Sequence, residues 1–366
     1  MRSQAKRAAT GVVQERPSGA DNLLLNCAGL KPLSKILFIN EIGKPSVEKS
    51  AVNRLEHRAK ELGAKVSSIW TPSVRGPEEI RPELVEAIAG SEITIFNHAV
   101  GAMLRFEQLP GSGICVFNKA THNALLDSDW VRIPYELWVR LSELIATKLR
   151  ASKKWHITCP NGTDLTGTVS TPADENEPRN FTVRTFPIGT HAPLPTSDVS
   201  GTLALRWFPN SKIHDFGPAL SLRETILAQV EAGKIVGFKG ASEEVNRARN
   251  YLVKVGELTA KDPLIINSWH AGFNPQAFTL WRHESDYSTW LTLTHNNPRT
   301  LHFHAVGTEI PGELSLPIID HTVEIDGAVL WEGGKFKMLD WPEFREIAAE
   351  WDVPELAFAL RTDIGL

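Results

Sequence analysis

Short apolar runs alternate with amphipathic stretches over the first third of the chain. The apolar runs span residues 35–40, 65–70, 92–97 and 113–118, and the stretches with helical spacing span residues 50–62 and 82–89. Strands that are apolar throughout and separated by helices are typical of a parallel sheet covered on both faces. The pattern therefore predicts a doubly wound α/β domain over residues 21–150, preceded by a flexible arm at residues 1–20.

The pattern changes near residue 150. Residues 133–149 have the period of one long amphipathic helix, which would bridge two domains. Beyond it the predicted strands span residues 155–160, 162–169, 181–186, 201–208 and 234–239, and the predicted helices lie near 222–232 and 242–255. Short strands joined by Gly, Pro and Asn turns indicate an α+β, sheet-rich second domain over residues 151–366.

Composition excludes several classes of protein. A net charge of -4 provides no basic surface for nucleic acid. No apolar run is long enough for a membrane span or a signal peptide, and no glycine-rich dinucleotide or phosphate loop follows a predicted strand. The cysteines Cys27, Cys115 and Cys159 are widely spaced in apolar surroundings, which favours reduced thiols. We therefore expect a cytoplasmic protein with no nucleic-acid or membrane partner.

Candidate chemistry is concentrated in the C-terminal half, between His270 and Ser315. His302 and His304 are two residues apart, so on a strand both imidazoles would point to one face. A turn could return Glu313 to them, and with His270 the group would form the histidine and carboxylate set that suits iron(II). Zinc is an alternative ion, and a solvated strand face is the alternative without function.

A mechanism without metal is also open. Glu313 and His270, as neighbours in a dry cleft, could act as general acid and base, with Ser315 positioning the substrate. Asp320 and His321 would support the site from behind, and at most one of them would face the cleft.

Four short motifs indicate a relationship to known proteins. The motifs lie at residues 158–166 (TCPNGTDLT), 194–200 (LPTSDVS), 270–275 (HAGFNP) and 322–327 (TVEIDG). In this order they resemble the C-terminal domain of the leucyl aminopeptidase (aminopeptidase T) family, a scaffold shared with the 2,5-dihydroxypyridine 5,6-dioxygenases. The resemblance implies an aminopeptidase T-like fold, a metal-dependent enzyme and association into a homodimer or higher homo-oligomer.

The resemblance also assigns positions in the site, with departures. His270 stands at a ligand position where the dioxygenases have His and the peptidases have Glu. Glu313 stands where the family has a ligand His, Ser315 where it has a ligand Asp, and Asp198 where the peptidases have a metal-binding Glu. This resemblance implies iron(II) as the cofactor, held by an altered set of ligands.

Aromatic residues flank the candidate ligands and favour a planar substrate. Trp269 and Phe273 adjoin His270 and could provide stacking walls, Asp198 could contact the substrate, and Arg282 could meet a substrate charge. The leading hypothesis is an iron(II)-dependent ring-cleaving dioxygenase that acts on a hydroxylated pyridine or related aromatic compound. The alternatives are an amide-bond hydrolase or aminopeptidase-like enzyme, with zinc or without metal, and a non-catalytic protein that binds a small molecule.

Overall fold

A computed structural model describes most of the chain. The described residues are 17–74, 79–105, 107–111, 113–170, 182–209, 219–285, 287–306, 313–351, 353 and 355–366. Most of the predicted N-terminal arm lies outside these residues. Its last part is ordered, because the Ser18 hydroxyl accepts a hydrogen bond from the Asp21 amide and caps a first helical turn in which Ala20 is buried.

Helices and strands alternate in the first part of the chain, and strands dominate the second. The α-helices are α1 Gly19–Asp21, α2 Lys49–Glu61, α3 Pro82–Ala89, α4 Val100–Met103, α5 Asn123–Leu126, α6 Asp129–Arg132, α7 Tyr135–Ala151, α8 Ser242–Thr259, α9 Tyr287–Thr294 and α10 Pro342–Ala349. The strands are β1 Lys35–Ile42, β2 Lys65–Pro72, β3 Ile93–Asn97, β4 Ile114–Asn118, β5 Lys154–Thr158, β6 Asp164–Val169, β7 Arg184–Phe186, β8 Leu194–Phe208, β9 Leu220–Glu231, β10 Lys234–Lys239, β11 Ile266–Ala271, β12 Thr300–Ala305, β13 Leu314–Ile319, β14 Thr322–Ile325, β15 Ala328–Glu332 and β16 Lys335–Phe336. A π-helical turn at Asn22–Cys27 and 3-10 turns at Lys337–Asp340 and Glu355–Phe358 complete the described elements.

The first sheet is parallel, with strand order β2-β1-β3-β4-β7. In β1 the side chains of Ile36 and Phe38 enter one apolar core, and those of Leu37 and Ile39 enter another on the opposite face. Burial on both faces explains why this strand is apolar throughout, and it confirms the predicted parallel sheet. The fifth strand, β7, comes from beyond α7, so the run at 181–186 that was assigned to the second domain completes the first sheet instead.

Polar side chains connect the carboxyl ends of the three central strands of this sheet. The amide of Asn118 donates to Asn97 Oδ1 at 2.8 Å, and the amide of Asn97 donates to Asn40 Oδ1 at 2.8 Å. Parallel strands end at the same edge of the sheet, and this edge is where open α/β sheets usually bind ligands. These asparagines are hydrogen-bonded to one another at this edge. The residues available there to bind a ligand are therefore those that follow the strands.

The second sheet has eleven described strands and is antiparallel. The strand order is β13-β12-β11-β8-β6-β5-β14-β15-β16, and β9 pairs with both β8 and β10. The motif at 322–327 forms strand β14 and the turn after it, with Asp326 and Gly327 at positive φ between β14 and β15. Helix α7 also matches its prediction to within two residues and packs into the core of this sheet.

The predicted helix near residues 222–232 is wrong, because this segment is strand β9. Its residues include good helix formers, but Ile226, Ala228 and Val230 are buried at alternate positions. Pairing with β8 on one side and β10 on the other satisfies the backbone of this strand. Packing on both sides therefore overrides the local helix preference.

None of the helices in the described part of the chain has the length and apolar character of a membrane span.

Candidate metal centre

Two neighbouring strands of the second sheet bring histidines to one face, and a third strand lies beside them. In the register of these strands His270 on β11 lies opposite His302 on β12, and Ser268 lies opposite His304. On the other side of β12, His304 lies opposite Ser315 of β13. Residues directly opposite on antiparallel strands have Cβ atoms about 5 Å apart, so this pairing alone gathers the imidazoles.

The alternate residues of the same strands point the other way. Trp269, Phe303 and Leu316 are paired across the three strands and lie fully buried in the main apolar core. The period of two in a strand therefore separates an aromatic layer on one face from a polar layer on the other. This separation confirms that His302 and His304 share a face.

The three histidines form a compact cluster. One ring nitrogen from each of His270, His302 and His304 can be chosen so that all three lie within 4.8 Å of one another. The Nε2 atoms of His270 and His302 are in direct contact. The centroid of the His304 ring lies 4.7 Å from that of the His270 ring and 4.8 Å from that of the His302 ring. Side chains at these distances can bind one small ion together.

Glu313 completes the cluster from the residue just before β13. Its Oε1 lies 2.7 Å from His304 Nε2, although that nitrogen makes no hydrogen bond with a described residue. Two donor atoms that share one ion at about 2.1 Å lie about 3 Å apart, which matches this side-by-side approach. The other oxygen, Oε2, accepts a hydrogen bond from Arg105 Nη2 at 3.0 Å. The structure thus brings Glu313 back to the histidines, as the sequence predicts.

Burial keeps the rings of His270 and His302 neutral. Desolvation lowers the pKa of both histidines well below the usual value, and the neighbouring imidazoles lower it further. A neutral imidazole has a free lone pair, which is the form that binds a metal ion. These two rings are therefore in the form that binds a cation.

The hydrogen bonds of the two contacting rings are incomplete. His270 Nδ1 and His302 Nδ1 are buried and have no hydrogen-bond partner among the described residues. A neutral pair has two protons, and its Nε2–Nε2 contact can use only one of them, so one donor and one acceptor are left unsatisfied. Such a group costs about 1–3 kcal/mol when buried. An ion that takes up the two converging Nε2 lone pairs would replace this contact, with the proton of each ring on Nδ1, so the residues fit such an ion.

Ser268 orients one of the candidate ligands. Its Oγ lies 3.0 Å from His304 Nδ1 and can accept a hydrogen bond from a proton on that nitrogen. With the proton on Nδ1, the lone pair of Nε2 points to Glu313 and the cluster. We expect Ser268→Ala to weaken iron(II) binding about 10–100-fold, the usual cost of losing a partner behind a metal-binding histidine. Anaerobic competition with a chelator measures this change. Ser50→Ala, at the exposed start of α2, is the control and should bind iron(II) as tightly as the native protein does. Equal affinity of the two variants would show that Ser268 has no part in the centre.

Three residues near the cluster were not predicted from the sequence. Lys119 follows β4 directly, and its Nζ lies 3.2 Å from His295 Nε2. The His295 ring is stacked on that of His270, with centroids 6.3 Å apart. Arg105 follows α4 and contacts Glu313. Only Lys119 had a usable signal, because residues after parallel strands are common ligand-binding positions.

Another histidine beside the cluster is held by the backbone. His191 Nε2 accepts a hydrogen bond from the Ala271 amide at 3.1 Å, and its Nδ1 lies 2.7 Å from the Ala192 carbonyl oxygen. Burial lowers the pKa of His191 to about 4, so the ring is neutral. Both ring nitrogens are thus engaged, and this ring supports β11 next to His270.

Two other predicted residues lie behind the sheet, in the turn after β13. Asp320 makes a two-pronged ion pair with Arg299, at 2.6 and 2.8 Å. His321 is fully buried against Trp331, and burial lowers its pKa to about 3. The two side chains point in different directions, as expected, and neither joins the histidine cluster.

The predicted substrate contacts lie away from the polar face. Trp269 packs edge-on to Trp155 on the core side of the sheet, and Phe273 is fully buried in the same core. Asp198 and Arg282 are exposed, with Asp198 Oδ2 3.4 Å from Thr168 Oγ1 and Arg282 paired to Glu284. The positive charge nearest the cluster therefore comes from Arg105 and Lys119, which the α/β part of the chain provides.

Fold and site together describe a protein of two sheets with a buried histidine and carboxylate cluster between them. No protein family model matches the chain, and no curated protein sequence matches it either. Among solved structures, it is similar to the 2,5-dihydroxypyridine dioxygenase of Pseudomonas putida KT2440. The TM-score is 0.56 at 14% identity, over 87% of this chain and 96% of the other. This likeness shows that the two proteins share a fold over nearly their whole lengths.

Proposed function

We propose that this protein is a metal-dependent, ring-cleaving dioxygenase that binds iron(II) through His270, His302, His304 and Glu313. The observation that carries the proposal is the convergence of the three histidines on one buried face, with Glu313 Oε1 2.7 Å from His304 Nε2. Nitrogen and carboxylate ligands suit iron(II), and the solved structure with the similar fold is that of a dioxygenase. The proposed substrate is a hydroxylated pyridine or a related small aromatic compound.

The residues of the chain would have distinct roles in this reaction. When bound, iron(II) supplies the redox chemistry that lets dioxygen react with an aromatic ring. Arg105 orients Glu313 through the contact at 3.0 Å, and Ser268 fixes the proton of His304. Burial of the cluster excludes bulk water from the reacting atoms and strengthens these interactions.

A zinc-dependent hydrolase is the second candidate, and one feature favours it. Three imidazoles are the ligands of many catalytic zinc sites, in which the fourth position holds water. Glu313 would then act as the general base beside that water, since its Oε1 lies 2.7 Å from His304 Nε2. The bound ion and the reaction separate the two candidates.

The test is anaerobic purification, elemental analysis and oxygen uptake with 2,5-dihydroxypyridine as the probe. We expect about one iron per chain and oxygen uptake that stops when the iron is chelated. Zinc in place of iron, together with cleavage of amide probes and no oxygen uptake, would support the hydrolase. A protein that binds neither ion would contradict both candidates and leave the non-catalytic binding protein.

A further inference from the structure

Lys119 is a buried cation whose described contacts are all with neutral groups. It is 7% exposed, and its Nζ lies 3.2 Å from His295 Nε2 and 3.5 Å from Asn296 Oδ1. Neither partner has a negative charge. A buried ammonium is costly unless an anion or several good acceptors compensate it, so this position requires an explanation.

The hydrogen bonds of Lys119 leave one donor available. The Nδ1 of His295 lies 2.6 Å from the Leu291 carbonyl oxygen, so the ring proton belongs on Nδ1 and Nε2 accepts from the lysine. An ammonium group has three N–H donors. His295 and Asn296 take two of them, and the described residues offer no acceptor for the third.

The charges of the described side chains around the cluster sum to a positive value. Arg105 and Lys119 contribute two positive charges, and Glu313 contributes one negative charge. A divalent ion at the histidines would add two more positive charges. These side chains are therefore short of negative charge both with and without the ion.

Lys119 itself shows the effect of this imbalance. Burial, and then the nearby Arg105 guanidinium, lower the pKa of Lys119 to about 7. A bound anion would oppose both causes and keep the ammonium charged. Its position suits this role, because the ring of His295 lies between Lys119 and His270. The centroids of the His295 and His270 rings are 6.3 Å apart. Lys119 and the candidate ligand His270 thus flank the same His295 ring.

We infer that Lys119 is a specificity-determining residue that binds an acidic substituent, a carboxylate, on the aromatic substrate. The inference rests on the proposed function for the identity of the substrate ring. The site for an anion is inferred from the surroundings of Lys119 itself. Lys119 donates its third N–H to the carboxylate, and Arg105 adds to the positive field. The enzyme thus selects a ring acid over its neutral analogue.

Anaerobic calorimetry with two matched probes tests this inference. The probes are 2,5-dihydroxybenzoate and 2,5-dihydroxybenzamide, which differ in the charge of one substituent. The native protein, with and without iron(II), should bind the acid at least about tenfold more tightly, because a charge-assisted hydrogen bond away from water is strong. Lys119→Met should remove this preference, and Lys119→Arg should keep most of it. Lys60→Met, on the exposed side of α2, is the control and should retain it in full.

Several results would overturn the inference. Equal affinity of the native protein for the two probes, or binding of neither, contradicts it without any variant. A preference that survives in a folded Lys119→Met protein also contradicts it. The proposed function fails separately if the native protein binds no iron(II). If the metal-free protein still prefers the acid, the anion site is retained. Iron binding and oxygen uptake without a preference for the acid would leave the function intact and remove the anion site.

Discussion

Replacing His270 by Ala is expected to lower the affinity for iron(II) at least about 100-fold, because loss of a direct ligand exceeds the 10–100-fold cost of losing an outer partner. His270 is the residue on which the cluster depends most. It lies opposite His302 in the strand register, and its ring contacts that of His302 and lies 4.7 Å from that of His304. Anaerobic chelator competition gives the affinity, and oxygen uptake should fall with it.

The control for this experiment is an exposed histidine. His57 lies on α2, with its side chain 76% exposed, and pairs with Glu61 one turn further along. His57→Ala should leave metal affinity unchanged, since no other candidate ligand lies near it. Thermal unfolding of the metal-free proteins shows whether His270→Ala is folded. A folded variant that binds iron(II) as tightly as the native protein would exclude His270 from the centre.

Glu313→Gln is expected to abolish oxygen uptake and also to destabilise the protein. The variant removes the carboxylate from the cluster and leaves the Arg105 guanidinium facing a neutral amide. Loss of one partner of a buried ion pair costs about 3–5 kcal/mol, and partial exposure of this pair reduces the expected loss of unfolding free energy to about 2–3 kcal/mol. Urea unfolding of the metal-free proteins measures it.

A double variant separates the two effects of this change. Arg105→Met with Glu313→Gln removes both charges, so part of the stability should return while oxygen uptake stays absent. Glu61→Gln on the surface of α2 breaks an exposed pair with Arg58 and should leave the free energy of unfolding nearly unchanged. Normal oxygen uptake by the single variant would show that Glu313 does not serve the reaction.

Much of the fold was predictable because its information is local. The apolar run of β1 reflects burial on both faces, and the spacing of His302 and His304 by two residues determines that they share a face of β12. Patterns of period two, helical spacing and turn residues need no knowledge of distant contacts.

The errors arose where distant contacts override local preference. Strand β9 contains helix-forming residues, and only its two neighbouring strands hold it extended. Likewise β7 follows α7 in sequence but joins the first sheet beside β4. A local pattern does not contain the identity of the neighbouring strand.

The sequence alone determined the spacing that places His302 and His304 on one face of a strand, the candidate status of His270 and Glu313, and the parallel sheet before them. Only the tertiary structure decided what surrounds these residues. Arg105 contacts Glu313 across 208 positions of sequence, and Lys119 reaches His295 across 176. The rings beside His270 in sequence turned instead to the core. Adjacent strand residues point to opposite faces, whereas charges that meet in a site are brought together by the packing of the whole chain.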